Sequence, residues 1–200
     1  RQPVHQPHQW AAAQVAPALA HDPMGERRVA TPGGARARAH ILAAFREAEL
    51  QQPPAGFVQE FQVRNRRDTT EVSQGANVVG YLPGTDPGAG AIVLTAHYDH
   101  LGIRPPRPGS PDQARGDSLF NGADDNASGT VGILAMARYF ATNRPRHTLV
   151  FAALDAEESG SQGARDFVER GWPPVMALNV NLDMIARSDS VLWAAGTHHY

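Results

Sequence analysis

The chain has 200 residues, 42% of them hydrophobic and 19% charged, a formal net charge of −2 and no cysteine. That length suffices for one domain, or one domain with a flanking arm, and for a real hydrophobic core. The near-neutral charge gives no electrostatic basis for binding nucleic acid or an anionic membrane, no apolar run approaches a membrane span, and any metal site must use His, Asp and Glu. Residues 1–9, with Pro3, His5, Pro7 and His8, read as a flexible tail, and residues 10–20 as a short Ala-rich helix docked by Trp10, Val15 and Leu19. A tail plus short helix is therefore expected over 1–30 and an α/β domain over 31–200. Thr31-Pro32 offers an N-cap and a first-turn proline. The helix over 35–50 carries Ile41, Leu42, Phe45 and Ala48 on one stripe, with Arg36, Arg38 and Arg46 toward solvent.

Pro53-Pro54 ends that helix. Phe57, Phe61 and Val63 share one parity of a half-buried strand over 57–63, and Arg64, Arg66 and Arg67 read as its solvated end. Residues 77–82 (NVVGYL) form a second strand. Residues 91–96 (AIVLTA) are a continuous apolar run, as a central strand covered on both faces requires. Residues 104–115, with Pro105, Pro106, Pro108 and Pro111, read as an irregular surface loop. There follow a helix over 127–139, an apolar strand over 147–154, a helix over 162–170, a third core strand over 177–182 (ALNVNL) and a shorter strand over 191–195. Strands alternating with helices place the fold in the α/β class: a central mixed, mostly parallel sheet flanked by helices on both faces.

Three of these strands run into His, Asp or Glu at their C-terminal ends: His97 to His100, Asp155 to Glu158, and Asp183. Open α/β sheets bind ligands at that edge. The glycine-bounded loop 121–129 (NGADDNASG) adds Asp124 and Asp125. Adjacent carboxylates repel, and a divalent metal is the economical source of compensating charge; the alternative is an Asp/Asn turn capping the next helix. In extended chain His97 and Asp99 lie on one side, so Asp99 can orient the imidazole for metal binding, or His97 can cap a strand while Asp99 pairs with an arginine. Glu157 and Glu158, just past a buried strand, suit a division of labour. Glu158 binds metal and Glu157 acts as general base toward an activated water, the alternative being a solvated acidic helix start. Asp183 is the last carboxylate, or else an ordinary strand-terminal turn residue.

The runs HYDH, GADDNASG, ALDAEESG and NLDMI, in this order and spacing, resemble the two-zinc aminopeptidases related to bacterial leucyl aminopeptidase and glutamate carboxypeptidase. GERRVATPGGARARAHI and GANVVGYLPG resemble the lead-in of bacterial members, so the resemblance extends from about residue 20 to the C-terminus. It implies a zinc-exopeptidase fold with two Zn(2+) per complete chain. His97 and Asp183 would hold one zinc, Glu158 the other, and Asp124 would bridge them. Glu157 would be the general base, Asp99 would orient His97, and a cis peptide would join Asp124 to Asp125. The implied activity is a metal-dependent aminopeptidase acting on peptides with a free N-terminus, and the implied location is periplasmic or secreted.

The sequence departs from the family at one point. The family's second zinc takes a further histidine from a His-x-Pro-Thr-Asp loop well beyond the counterpart of Asp183, whereas this chain ends at Tyr200. His198 and His199 stand in GTHHY, which resembles an earlier family segment. The resemblance thus implies a C-terminally truncated domain with an incomplete second zinc site and low activity; beginning at Arg1, the chain also reads as processed, engineered or excerpted. Two further functions stay open: a non-catalytic binding module on the same scaffold, and a one-zinc, glutaminyl-cyclase-like acyltransferase.

Overall fold

The structure, a computed structural model, describes residues 19–20, 27–65, 68, 70–105, 108–109, 118–173 and 175–186. The Thr-Pro signal starts helix α1 (Pro32–Glu47) as expected: Gly34 N–H donates to Thr31 Oγ1 and Pro32 fills the first turn. The apolar stripe becomes its buried face, with Ala37, Ile41 and Phe45 turned inward. Two antiparallel strands follow, β1 (Val58–Arg64) and β2 (Val72–Leu82). Strand β2 begins five residues before the expected position 77, because residues 72–76, the first three of them exposed, pair with residues 60–64 of β1.

Strand β3 (Ala91–His97) leads into a two-residue ladder, β4 (Gly102–Ile103) with β5 (Leu119–Phe120). The ladder was not expected from the proline-rich stretch; it draws the two ends of that excursion together, so that loop 121–129 returns to the end of β3. Helix α2 (Gly129–Thr142), strand β6 (Thr148–Leu154), helix α3 (Gln162–Glu169) and strand β7 (Met176–Asn181) complete the described elements. The expected segments over 10–18 and 191–195 lie outside the described residues.

The main sheet has the order β1-β2-β6-β3-β7, with β6-β3 and β3-β7 parallel and β1-β2 and β2-β6 antiparallel. Four strands therefore run one way and β2 runs against them. The fold is the expected mixed α/β sheet with helices on both faces. Side chains alternating along central β6 show why both faces need cover. Leu149, Phe151 and Ala153 enter a core built with α1 and α2, while Val150, Ala152 and Leu154 enter a second core with Phe167 of α3. The third expected core strand, β7, differs: it is an edge strand whose six residues are exposed among the described residues.

Because β3, β6 and β7 are parallel, the ends carrying His97, Asp155 to Glu158 and Asp183 meet at one edge. The core behind them is held by contacts such as Phe45 on Phe151, both fully buried with ring centroids 6.4 Å apart. Phe45→Ala should cost about 3–5 kcal/mol of unfolding free energy, measured by denaturant titration. A loss under about 1 kcal/mol would show that α1 is not part of this core.

Candidate metal centre

At the end of β3, Thr130 at the start of α2 fixes the backbone by donating to the His97 carbonyl at 2.9 Å. The His97 ring then lies between carboxylates. Its Nε2 is 3.2 Å from Asp125 Oδ1 and 3.6 Å from Asp183 Oδ1. On the other edge, Nδ1 is 3.2 Å from the Asp99 carbonyl and 3.6 Å from Asp99 Oδ1. Burial pulls the His97 pKa down, but Asp99, and then Asp183 and Glu157, outweigh it and raise the ring to about 9. The ring thus sits in anionic surroundings on both edges.

Asp99 does more than accompany His97. Its two carboxylate oxygens accept from the backbone N–H groups of Glu157 (3.0 Å) and Glu158 (3.2 Å). This buried carboxylate ties the end of β3 to the glutamate pair after β6. That pair follows Ala156, whose φ of 57° is strained for a residue with a Cβ and is held by the bond from its N–H to Asp155 Oδ1 at 2.9 Å. Burial raises the Glu157 pKa against the opposing pull of His97, and Ser161 Oγ donates to Glu157 Oε1 at 3.3 Å. Glu158 is lowered, chiefly by its contact with His100.

The acidic loop departs from the sequence expectation in two respects. The cis peptide joins Asp125 to Asn126, one residue later than expected. The side chain facing the histidines is Asp125, not Asp124: Asp125 Oδ1 approaches His97, and Asp125 Oδ2 lies 3.8 Å from His100 Nδ1. Asp124 turns the other way, where its Oδ1 accepts from Ala186 N–H at 3.2 Å. The backbone leaves helical geometry at Asp125 (φ −102°, ψ 96°) and Asn126 (φ −132°, ψ 44°), and Asn126 holds this break in place. Fully buried, Asn126 donates through Nδ2 to the Leu182 carbonyl, while its Oδ1 accepts from Gly129 and Met184 N–H. Asn126 thereby staples the loop to the segment that carries Asp183.

His100, which sequence reasoning left without a role, is the other histidine of the centre. It is 6% exposed, and its Nδ1 stands 3.0 Å from Glu158 Oε1 without the geometry of a hydrogen bond. Gly122 permits this packing. Its φ is 58°, and a Cβ there would come within 2.6 Å of the His100 ring. Two groups result, each with ligand atoms within 4.8 Å of one another: His97, Asp125 and Asp183, and His100, Asp125 and Glu158. Imidazole nitrogens and carboxylate oxygens are the donor set that zinc takes in proteins without cysteine ligands. The residues therefore fit two metal ions sharing Asp125. His97, Glu157 and Asp183 also line a cavity of about 260 Å³ whose wall includes Leu154, Phe167 and Met176.

A model of peptidase family M28 matches residues 77–198, more than half of the chain. The chain belongs to peptidase family M28. It is 28% identical over 128 residues to a vacuolar membrane protease of Eremothecium gossypii, covering 64% of this chain and 11% of that protein. To a probable zinc metalloprotease of Pyrenophora tritici-repentis it is 33% identical over 113 residues, covering 56% of this chain and 24% of that protein. The chain thus spans a quarter or less of the length of these relatives. Among solved structures, a zinc aminopeptidase from Bacillus subtilis superposes with a TM-score of 0.70 at 14% identity, covering 92% of this chain and 71% of that one. A glutaminyl cyclase from Tannerella forsythia gives a TM-score of 0.63 at 20% identity, covering 86% and 61%.

Membership in this zinc-dependent peptidase family bears out the resemblance read from the motifs. The periplasmic or secreted location inferred from bacterial members is overturned, since the curated relatives include fungal vacuolar membrane proteases. Among the described residues, no helix is long and apolar enough to cross a membrane.

Beneath the centre, Asp155 accepts from Ala76 N–H at 3.0 Å, and the Tyr98 hydroxyl reaches its Oδ2 at 3.0 Å. Burial, and then the charge of Asp99, raise Asp155 from its ordinary 3.8 to about 6. The folded state consequently holds this proton more tightly than the unfolded chain. The stabilisation is complete below about pH 4 and is lost as pH rises through about 6. Relative to Asp155→Asn, the unaltered protein should lose unfolding free energy between pH 4 and 7, read from denaturant titrations at each pH. Parallel pH profiles for the two proteins would contradict this.

Proposed function

We propose that this chain carries the two-zinc centre of an aminopeptidase, which removes N-terminal residues from peptides. The observation that supports it most is the single carboxylate of Asp125, with one oxygen toward each of two His/carboxylate groups. In this reading His97 and Asp183 hold one Zn(2+), His100 and Glu158 hold the other, and Asp125 bridges them. Zinc bound there would supply Lewis acidity toward a peptide carbonyl and lower the pKa of water to about 7.

The chain's own groups handle the protons and the substrate. Glu157, with its carboxyl pKa raised by burial, takes a proton from the attacking water and returns it to the leaving amine. Asp99 keeps Glu157 and Glu158 in place through their backbone N–H groups. The carboxylates around the centre favour the positive charge of a free α-ammonium group, which directs cleavage to the first residue of a peptide.

A second reading, a one-zinc glutaminyl-cyclase-like acyltransferase, has support from the shared fold of the Tannerella forsythia glutaminyl cyclase. The two ligand groups favour the peptidase, as does Glu157, a carboxylate that belongs to neither group. A non-catalytic module would have no need of that base. The deciding experiment compares the protein with Glu157→Gln on free and N-acetylated peptides and on peptides beginning with glutamine. Release of the first residue from free peptides alone is expected, with about 10²- to 10⁴-fold less turnover in the variant. Zinc content should be unchanged. Full turnover by Glu157→Gln would overturn the base assignment, and cyclisation without hydrolysis would favour the acyltransferase.

A further inference from the structure

Arg27 is the largest of the fully buried side chains among the described residues, only 2% exposed. A guanidinium out of water costs several kcal/mol unless its N–H groups and charge are both matched. Here they are matched by the walls of the metal centre. Nε donates to the Tyr98 carbonyl at 2.9 Å, between His97 and Asp99. Nη1 donates to the Leu19 carbonyl at 2.7 Å and the Asn121 carbonyl at 2.5 Å, and Nη2 to the Gly122 carbonyl at 2.8 Å. The backbone carbonyl of Arg27 accepts from His100 N–H at 3.2 Å. One residue thus holds the histidine-bearing run after β3 and the neck of the acidic loop, partners 71 to 95 positions away in sequence. Its charge is felt by Asp99 and Asp125, the carboxylates on either edge of the His97 ring.

We propose that Arg27 is a positioning residue of the metal centre. Its planar fork sets the gap between the His97–His100 wall and the Asp125 loop, so that both ligand groups are formed before any ion arrives. Nothing in the motifs of the catalytic region calls for this residue; it acts from the segment before α1. Lysine could replace its charge but not the fork that reaches four carbonyls. A merely structural arginine, anchoring only the Leu19 segment, would leave the loop and its metal affinity alone.

The inference rests on the two-zinc reading, and the test separates the two. Hydrogen exchange of residues 119–130 is measured on the metal-free full chain, and zinc affinity by competition with a chelator, for the protein and for Arg27→Ala with and without millimolar methylguanidinium. In Arg27→Ala, exchange across this segment should quicken while the amides of β6 stay protected. Zinc affinity should fall about 10- to 100-fold. Methylguanidinium should restore both. A folded Arg27→Ala with unchanged loop exchange or unchanged zinc affinity would overturn the proposal. If Arg27→Ala does not fold, Arg27→Lys decides: faster loop exchange supports the proposal, and parity with the unaltered protein overturns it. Should the unaltered chain take up no zinc, the metal reading fails, while the exchange data still judge Arg27.

Discussion

The carboxylate of Asp125 stands between two buried imidazoles, and the architecture around it serves to keep it there. Asp183 and Glu158 approach the same two rings from different strand ends, and Asp99 lies behind them. So many carboxylates close together repel one another, and burial weakens the solvent screening that would relieve them. The raised pKa of His97, with that of Asp125 lifted by burial, is the electrostatic signature of a site short of positive charge. Two zinc ions sharing Asp125 would supply it. The fork of Arg27 contributes from below, where it cannot compete for the ligand atoms.

The parallel strands bring these groups to one edge, but hydrogen bonds to backbone set their final positions. Asp99 holds the glutamate pair, Asn126 holds the Asp183 segment, and Thr130 holds His97. Each joins two elements distant in sequence. The strained backbone at Ala156 and Met184, with φ of 57° and 52°, sits immediately beside Glu157 and Asp183. Such strain persists where surrounding bonds over-determine the conformation, and it aims the adjoining side chains.

Much of this was legible in the sequence, because period-two and apolar-run patterns identify strands, and a Thr-Pro start identifies a helix. The core strands β3 and β6 and helices α1 and α2 follow from such local signals. The motifs also pointed to the correct family and to strand ends that meet at one edge of the sheet. What they could not resolve was local direction. Asp124 and Asp125 are chemically identical neighbours, and only the backbone break at Asp125 and Asn126, held by the Asn126 side chain, decides which faces the histidines. His100 lies beyond the end of β3, where strand parity no longer assigns a side. Arg27 was hidden for a different reason: its partners are carbonyls, which every residue carries, and they are set by tertiary packing alone. Likewise, residues 72–76 at the start of β2 carry no regular alternation and pair because the end of β1 lies beside them.

The central claim is that Asp125 joins two metal ions and Asp124 does not hold them. Its most direct test is the zinc content, per chain, of Asp125→Asn and Asp124→Asn after dialysis against a buffered zinc concentration that saturates the unaltered protein. The account predicts that Asp124→Asn keeps close to the unaltered zinc content, whereas Asp125→Asn loses zinc from both groups. Retention of two zinc ions by Asp125→Asn, with loss in Asp124→Asn, would contradict it.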